Sequence, residues 1–90
     1  MLKSRQGFLL RKMMNAHVVV AVGEAGRTFN GMIRLNEAGV WLWQEMMQGI
    51  EKEALIDRML ARYDDLERIT ARADLDVFLE TIRFALEDEE

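Results

Sequence analysis

The sequence predicts an α+β domain in which three short antiparallel strands are followed by three helices. Three observations predict it. The strongest β signal, His17–Val22 (HVVVAV), has valine at four of its six positions and lies in the first third of the chain. From Asn36 onward, apolar residues recur at three- and four-residue spacings, the period of an amphipathic helix. Between the two regimes stands GMIRLNEAGVWLW, Gly31 to Trp43, where a strand runs into a helix with almost no connector.

In chain order, the first strand opens at Phe8-Leu9-Leu10 and continues through Arg11 and Lys12 to Met13 and Met14. Asn15-Ala16 supplies a tight turn, and His17–Val22 returns as the second strand of a hairpin. Gly23-Glu24-Ala25-Gly26 is a flexible turn, Arg27-Thr28-Phe29 begins the third strand, and Asn30-Gly31 marks a turn or bulge before Met32-Ile33-Arg34-Leu35. A sheet of this size needs a helical layer to be stable.

Asn36 provides that layer's first N-cap oxygen, with Glu37 at the positive end of the helix dipole. The first helix then runs to Gln48 with Ala38, Leu42, Trp43, Met46 and Met47 on its apolar face, and Gly49 stops it. Trp43 belongs to the core. Trp41, about 200° away on the wheel, packs under the N-terminal segment or faces an interaction surface. Glu51–Tyr63 repeats the pattern with Ala54, Leu55, Met59, Leu60 and Tyr63, making a helix-turn-helix pair. Asp64-Asp65 caps a third helix over Leu66–Leu86. That helix has two apolar lines: Leu75, Phe78, Leu79, Ile82 and Leu86 on one face, and Leu66, Ala73, Val77 and Phe84 on nearly the opposite one. One core uses only the first. The second is extra core, a homodimer contact, or one wall of a groove. Glu80 is spaced to pair with Arg83.

Composition bounds what such a domain does. Ninety residues form a single domain, 1–90, at the small end of what folds alone, where about 60% of the unfolded surface is buried. Half the residues are hydrophobic, 31% are charged and none is proline, which is a globular composition. The net charge of −4 gives the whole chain no attraction for nucleic acid or anionic membrane. Zero cysteines exclude disulfides and thiolate metal sites and suit a reducing cytoplasm; the N-terminus lacks a signal-peptide pattern, and no apolar run reaches the roughly 18–20 residues of a membrane span. A cytoplasmic location is the expectation.

Residues that carry chemistry are scarce. His17 is the single histidine, so no multi-histidine metal site forms, and at a strand start it reads as structural. Asp64-Asp65 and Glu87–Glu90 sit at helix ends without a calcium-loop glycine and read as solvated. Gly23 and Gly26 match no phosphate-loop spacing, and Ser4 stands alone as a hydroxyl nucleophile candidate. The expectation is a protein without catalytic residues, metal or cofactor.

The third strand is the informative element. It is short, and Arg34 is its sole outward charge, so its edge is poorly protected against pairing with another extended segment. Strand addition gives affinity through the main chain and selectivity through alternate side chains entering pockets.

Three strands then three helices, with GMIRLNEAGVWLW at the junction, YDD after the second helix and FLETIRFAL near the end, resemble the PqqD family of small peptide-binding proteins. The likeness spans Phe8 to about Leu86. Its most specific part is the ungapped string Gly31…Leu35-Asn36-Glu37…Gly39…Trp43; VVVAVGEAGRTFN is weaker support. Trp41 adds a second indole, and the chain ends in acidic EDEE where many members carry a short apolar tail. The resemblance implies a winged-helix-like domain that binds the leader segment of a ribosomally made precursor peptide. It implies delivery of that precursor to a modifying enzyme, often a radical S-adenosylmethionine enzyme, without chemistry of its own. It implies that the leader adds as a strand to the third strand beside the third helix. On this chain the contact set becomes Met32, Ile33, Arg34 and Leu35 for the ladder, and Val77, Phe78, Thr81 and Ile82 for the groove wall.

Two readings of other classes compete. A winged-helix DNA-binding protein shares the architecture, but recognition requires cations on the second helix of the pair, and EKEALIDR is balanced to acidic. A structural homodimer module would use the Val77/Phe84 line.

Overall fold

The computed structural model describes residues 1–28 and 31–87. A three-stranded antiparallel sheet, in the order β1-β2-β3, is followed by helices. Strands β1 (Phe8–Met13), β2 (Ala16–Ala21) and β3 (Met32–Leu35) precede the three main helices α2 (Glu37–Met46), α3 (Lys52–Arg62) and α4 (Arg68–Thr81). A one-turn helix α1 (Ala25–Thr28) lies between β2 and β3. No helix among the described residues is long and apolar enough to cross a membrane.

The hairpin closes one residue earlier than expected. Met13 pairs with Ala16, so the loop is Met14-Asn15, and Met14 takes a left-handed φ of 56°. A two-residue hairpin loop needs positive φ to match the twist of its strands, and here an exposed methionine supplies it. The expected third-strand start at Arg27-Thr28 is corrected to helix: Gly26 and Arg27 donate their amides to the carbonyls of Gly23 and Glu24, at 3.1 Å each, with Gly23 at φ +61°. This turn packs on Gly7, where a Cβ would come within 2.9 Å of Ala25 Cβ. Phe29 and Asn30 lie outside the described residues.

Pairing fixes which way each strand side chain faces. Val19 opposes Leu10 and Ile33, while Val18 opposes Arg11 and Arg34 on the other face. The inner row of β3, Ile33 and Leu35, therefore faces the helices, and Met32 and Arg34 lie on the outer row, exposed. His17, between Lys12 and Leu35 in the register, is half-buried.

At the junction, Asn36 caps α2 as expected: Gly39 N donates to Asn36 Oδ1 at 2.8 Å. Gly49 ends the segment at φ +92°. The core gathers Phe8, Val19, Leu35, Trp43, Met46, Leu55, Leu75 and Ile82, among others, with Trp43 1% exposed. Met47 is 54% exposed and Ala38 is also outside the core, so the buried face of α2 is narrower than the sequence spacing gave.

The last helix is shorter than expected. Asp64-Asp65 form an exposed turn, and the N-cap position falls to Glu67, whose side chain makes no capping bond. After Thr81 the chain tightens into a 3-10 turn at Arg83–Ala85, and Leu86 is extended, bridging to Ser4. Only a tertiary contact explains this. The N-terminal segment crosses here, with Arg5 N donating to Ala85 O at 2.7 Å and Glu87 N donating to Lys3 O at 2.9 Å, and its backbone competes for carbonyls a longer helix would use. The inward stripe is Ala71, Leu75, Ile82 and Ala85, and Phe78 and Leu79 are half-buried beside it. Val77 and Phe84, on the second line, are 68% and 59% exposed, and Ile69 joins them at 76%.

Candidate functional site

The site begins with an edge. β3 pairs with β2 alone, so one side of β3 carries no strand of the described residues. In an antiparallel ladder, every second residue turns its N–H and C=O away from the neighbour, so half of Met32–Leu35 offers main-chain groups to the open side. Such an edge is what a foreign extended segment pairs with.

Beside the C-terminal end of β3 lies a groove of ≈ 940 Å³, large enough for several side chains. Its floor is apolar: Leu35 from β3, Leu42 from α2, Met59 from α3 and Phe78 from α4. Gly39 allows the elements to close on each other, because a Cβ there would be 3.2 Å from both Phe78 Cε1 and Leu35 Cβ. A side chain at that position would push Phe78 back from the first turn of α2 by a few tenths of an ångström.

The predicted contact residues divide. Arg34, Leu35, Val77, Phe78 and Thr81 all line the groove. Met32 and Ile33 do not line it; they extend the open edge away from it, Met32 57% exposed and Ile33 half-buried. Ile82 is corrected from wall to core: it is 0% exposed, two turns after buried Leu75 on the same apolar line. Thr81 donates its hydroxyl to Val77 O at 3.0 Å, which leaves a methyl-bearing side chain at the groove rim.

Sequence reasoning missed the far wall. Trp41, Arg62 and Tyr63 form it, followed in the chain by Asp64, Asp65 and Leu66, which also line the groove. Trp41 and Tyr63 meet edge to face at 6.3 Å and 85°, and the Arg62 guanidinium lies 4.9 Å from the Trp41 ring centroid and 5.6 Å from that of Tyr63. Arg62 Nε also donates to Tyr63 Oη at 3.3 Å. Trp41 thus lines the groove, held by aromatic and cation–π contacts worth about 0.5–1 kcal/mol each at exposed sites. The available signal was Trp41 pointing off the Trp43 face.

The charged groups behind the groove belong to the helices themselves. Glu53 on α3 accepts from Arg72 Nη1 at 2.6 Å and Nη2 at 3.1 Å and from Arg68 at 3.2 Å; Arg68 also pairs with Asp57. The Glu53 carboxyl is held below its ordinary 4.5, chiefly by the Arg72 hydrogen bond, and the Arg72 guanidinium is raised in return. Lys52 pairs with Asp76 at 2.6 Å, and Arg58 pairs with Glu45. The cations of α3 are therefore engaged within the protein, which removes the free basic face that reading a DNA groove requires.

The chain matches the family model described as coenzyme PQQ synthesis protein D (PqqD) over residues 16–84. Among solved structures it is similar to TbiB1 in complex with the TbiA(beta) leader peptide, with a TM-score of 0.75, 21% sequence identity and 98% of each chain covered. Comparison with curated protein sequences finds no match.

Proposed function

The chain belongs to the PqqD family, and from that membership we propose that it is an adaptor that binds the leader segment of a ribosomally made precursor peptide. The leader adds as a fourth strand along the open side of β3, over Met32–Leu35, and drops alternate side chains into the groove beside Val77, Phe78 and Thr81. It is then presented to a modifying enzyme, of the radical S-adenosylmethionine type or another, and the adaptor performs no chemistry itself.

The observation that carries this reading is the adjacency of two features. An unpaired strand edge gives sequence-tolerant main-chain bonds, and an apolar groove beside it supplies the contact that offsets the cost of ordering a flexible peptide. The similar TbiB1 structure holds a leader peptide, which supports the same use of the fold.

Titration of the ¹⁵N-labelled protein with a synthetic leader of its cognate precursor tests it. Amide shifts are expected in Met32–Leu35 and in the 77–81 segment of α4. Shifts confined to Lys52–Arg62 contradict the proposal.

A further inference from the structure

Charge is distributed unevenly along this chain. Residues 1–35 hold six Lys/Arg and one Asp/Glu, whereas residues 36–90 hold six Lys/Arg and fifteen Asp/Glu. The sheet half is therefore cationic and the helical half anionic. Within the sheet, Arg34 and Arg11 lie on the outer face, in register on either side of Val18, and both are exposed. Among the described residues neither makes an ion pair, unlike Lys52 and Arg58 of α3. The groove is also lined by the carboxylates of Asp64 and Asp65 and by that of Asp74 on α4.

An added strand places its side chains in two rows, one continuing each face of the sheet. Its inner row meets the groove, with its apolar floor and these carboxylates. Its outer row stands beside Met32 and Arg34, with the residue opposite Arg34 about 5 Å away and Arg11, two strands beyond Arg34, roughly 15 Å away. On the inner row a carboxylate meets apolar surface and three carboxylates, against the single Arg62 guanidinium, which is already stacked on Trp41 and Tyr63. On the outer row it meets the unpaired Arg34 guanidinium. We infer that Arg34 is a specificity residue, and that the segment this site selects alternates apolar residues with an Asp or Glu placed on the outer row opposite Arg34.

This rests on the strand-addition reading, and the experiment separates the two. A phage-displayed library of random 12-residue peptides is panned against the full chain and against Arg34→Glu, with Arg34→Gln as a milder variant; Arg34 is exposed, and circular dichroism checks that each variant is folded. On the wild type, enriched sequences should carry aliphatic or aromatic residues at alternate positions and an acid at one position between them. On Arg34→Glu the apolar alternation should persist while the acid gives way to Lys or Arg. By calorimetry, the best acidic peptide should bind the wild type about two- to fivefold more tightly than its Glu→Lys form, with the order reversed on Arg34→Glu and the difference lost on Arg34→Gln. Apolar alternation without a charge preference, or the same acid preference on Arg34→Glu, overturns the role of Arg34 and leaves peptide binding standing. Enriched peptides that leave the β3 amides unshifted overturn both.

Discussion

Gly39 shows how much one residue decides. It lies inside α2, where glycine is ordinarily about 1 kcal/mol worse than alanine, and it is retained at the point where α2, β3 and Phe78 converge. Gly39→Ala would add a methyl 3.2 Å from Phe78 Cε1 and from Leu35 Cβ, tighter than an ordinary contact, and the ring would shift into the groove. Overpacking of this kind costs ~1–3 kcal/mol, which outweighs the gain in helix propensity. Urea unfolding is expected to show a net loss of about 1 kcal/mol, together with weaker binding of any groove ligand. A gain in stability would mean that the groove does not depend on this close approach. Asn36, three residues earlier, is the complementary case: its cap is a local interaction, and a local signal was enough to find it.

At the scale of elements, α3 and α4 are clasped from outside by Glu53, Arg68, Arg72 and Asp57 and joined inside by Leu55, Met59, Ala71 and Leu75. Because the folded-state carboxyl of Glu53 titrates below its ordinary value, its contribution is fully present above that value and is lost as pH falls through the depressed one. Glu53→Gln is therefore expected to lower the unfolding midpoint at pH 7, to do so less at about 0.5 M salt, and to have no effect in acid below the folded-state value. Denaturation of both proteins across that pH range checks the sign; a deficit that persists in acid would assign Glu53 a packing role instead. The clasp matters to function because α4 carries Val77 and Phe78, and α3 carries Arg62 and ends beside Tyr63; their separation sets the width of the groove.

At the scale of the molecule, the N-terminal segment holds the far ends together. Leu2 exchanges both backbone bonds with Ile50 at 2.7 and 2.9 Å, Ser4 N donates to Met46 O at 3.3 Å, and Lys3 and Arg5 bond to Glu87 and Ala85. Removing residues 1–6 deletes these five bonds, and at roughly 0.5–1.5 kcal/mol each the expected loss is about 2.5–7.5 kcal/mol. Against a total of about 5–15 kcal/mol for a small domain, the shortened chain should unfold at markedly lower urea, with the 83–87 region the first to lose amide protection in hydrogen exchange. An unchanged midpoint would show that the segment rides on the surface without securing it.

The same segment marks the limit of what could be read from the chain. Strand and helix order, the Asn36 cap, the Gly49 stop, the burial of Trp43 and the Glu80–Arg83 pair, formed at 3.2 Å, were all legible. Each rests on a period, a cap or a spacing within about one or two helical turns, and such signals survive without knowledge of the partner. The sequence by itself thus determined an α+β chain whose β3 is short and lightly guarded. Tertiary structure alone decided that α4 stops at Thr81 and that Trp41, Tyr63 and Arg62 come together in the groove with Val77. The reason is physical: these outcomes depend on which segments far apart in sequence compete for the same carbonyls and the same apolar surface, and no local pattern encodes the winner.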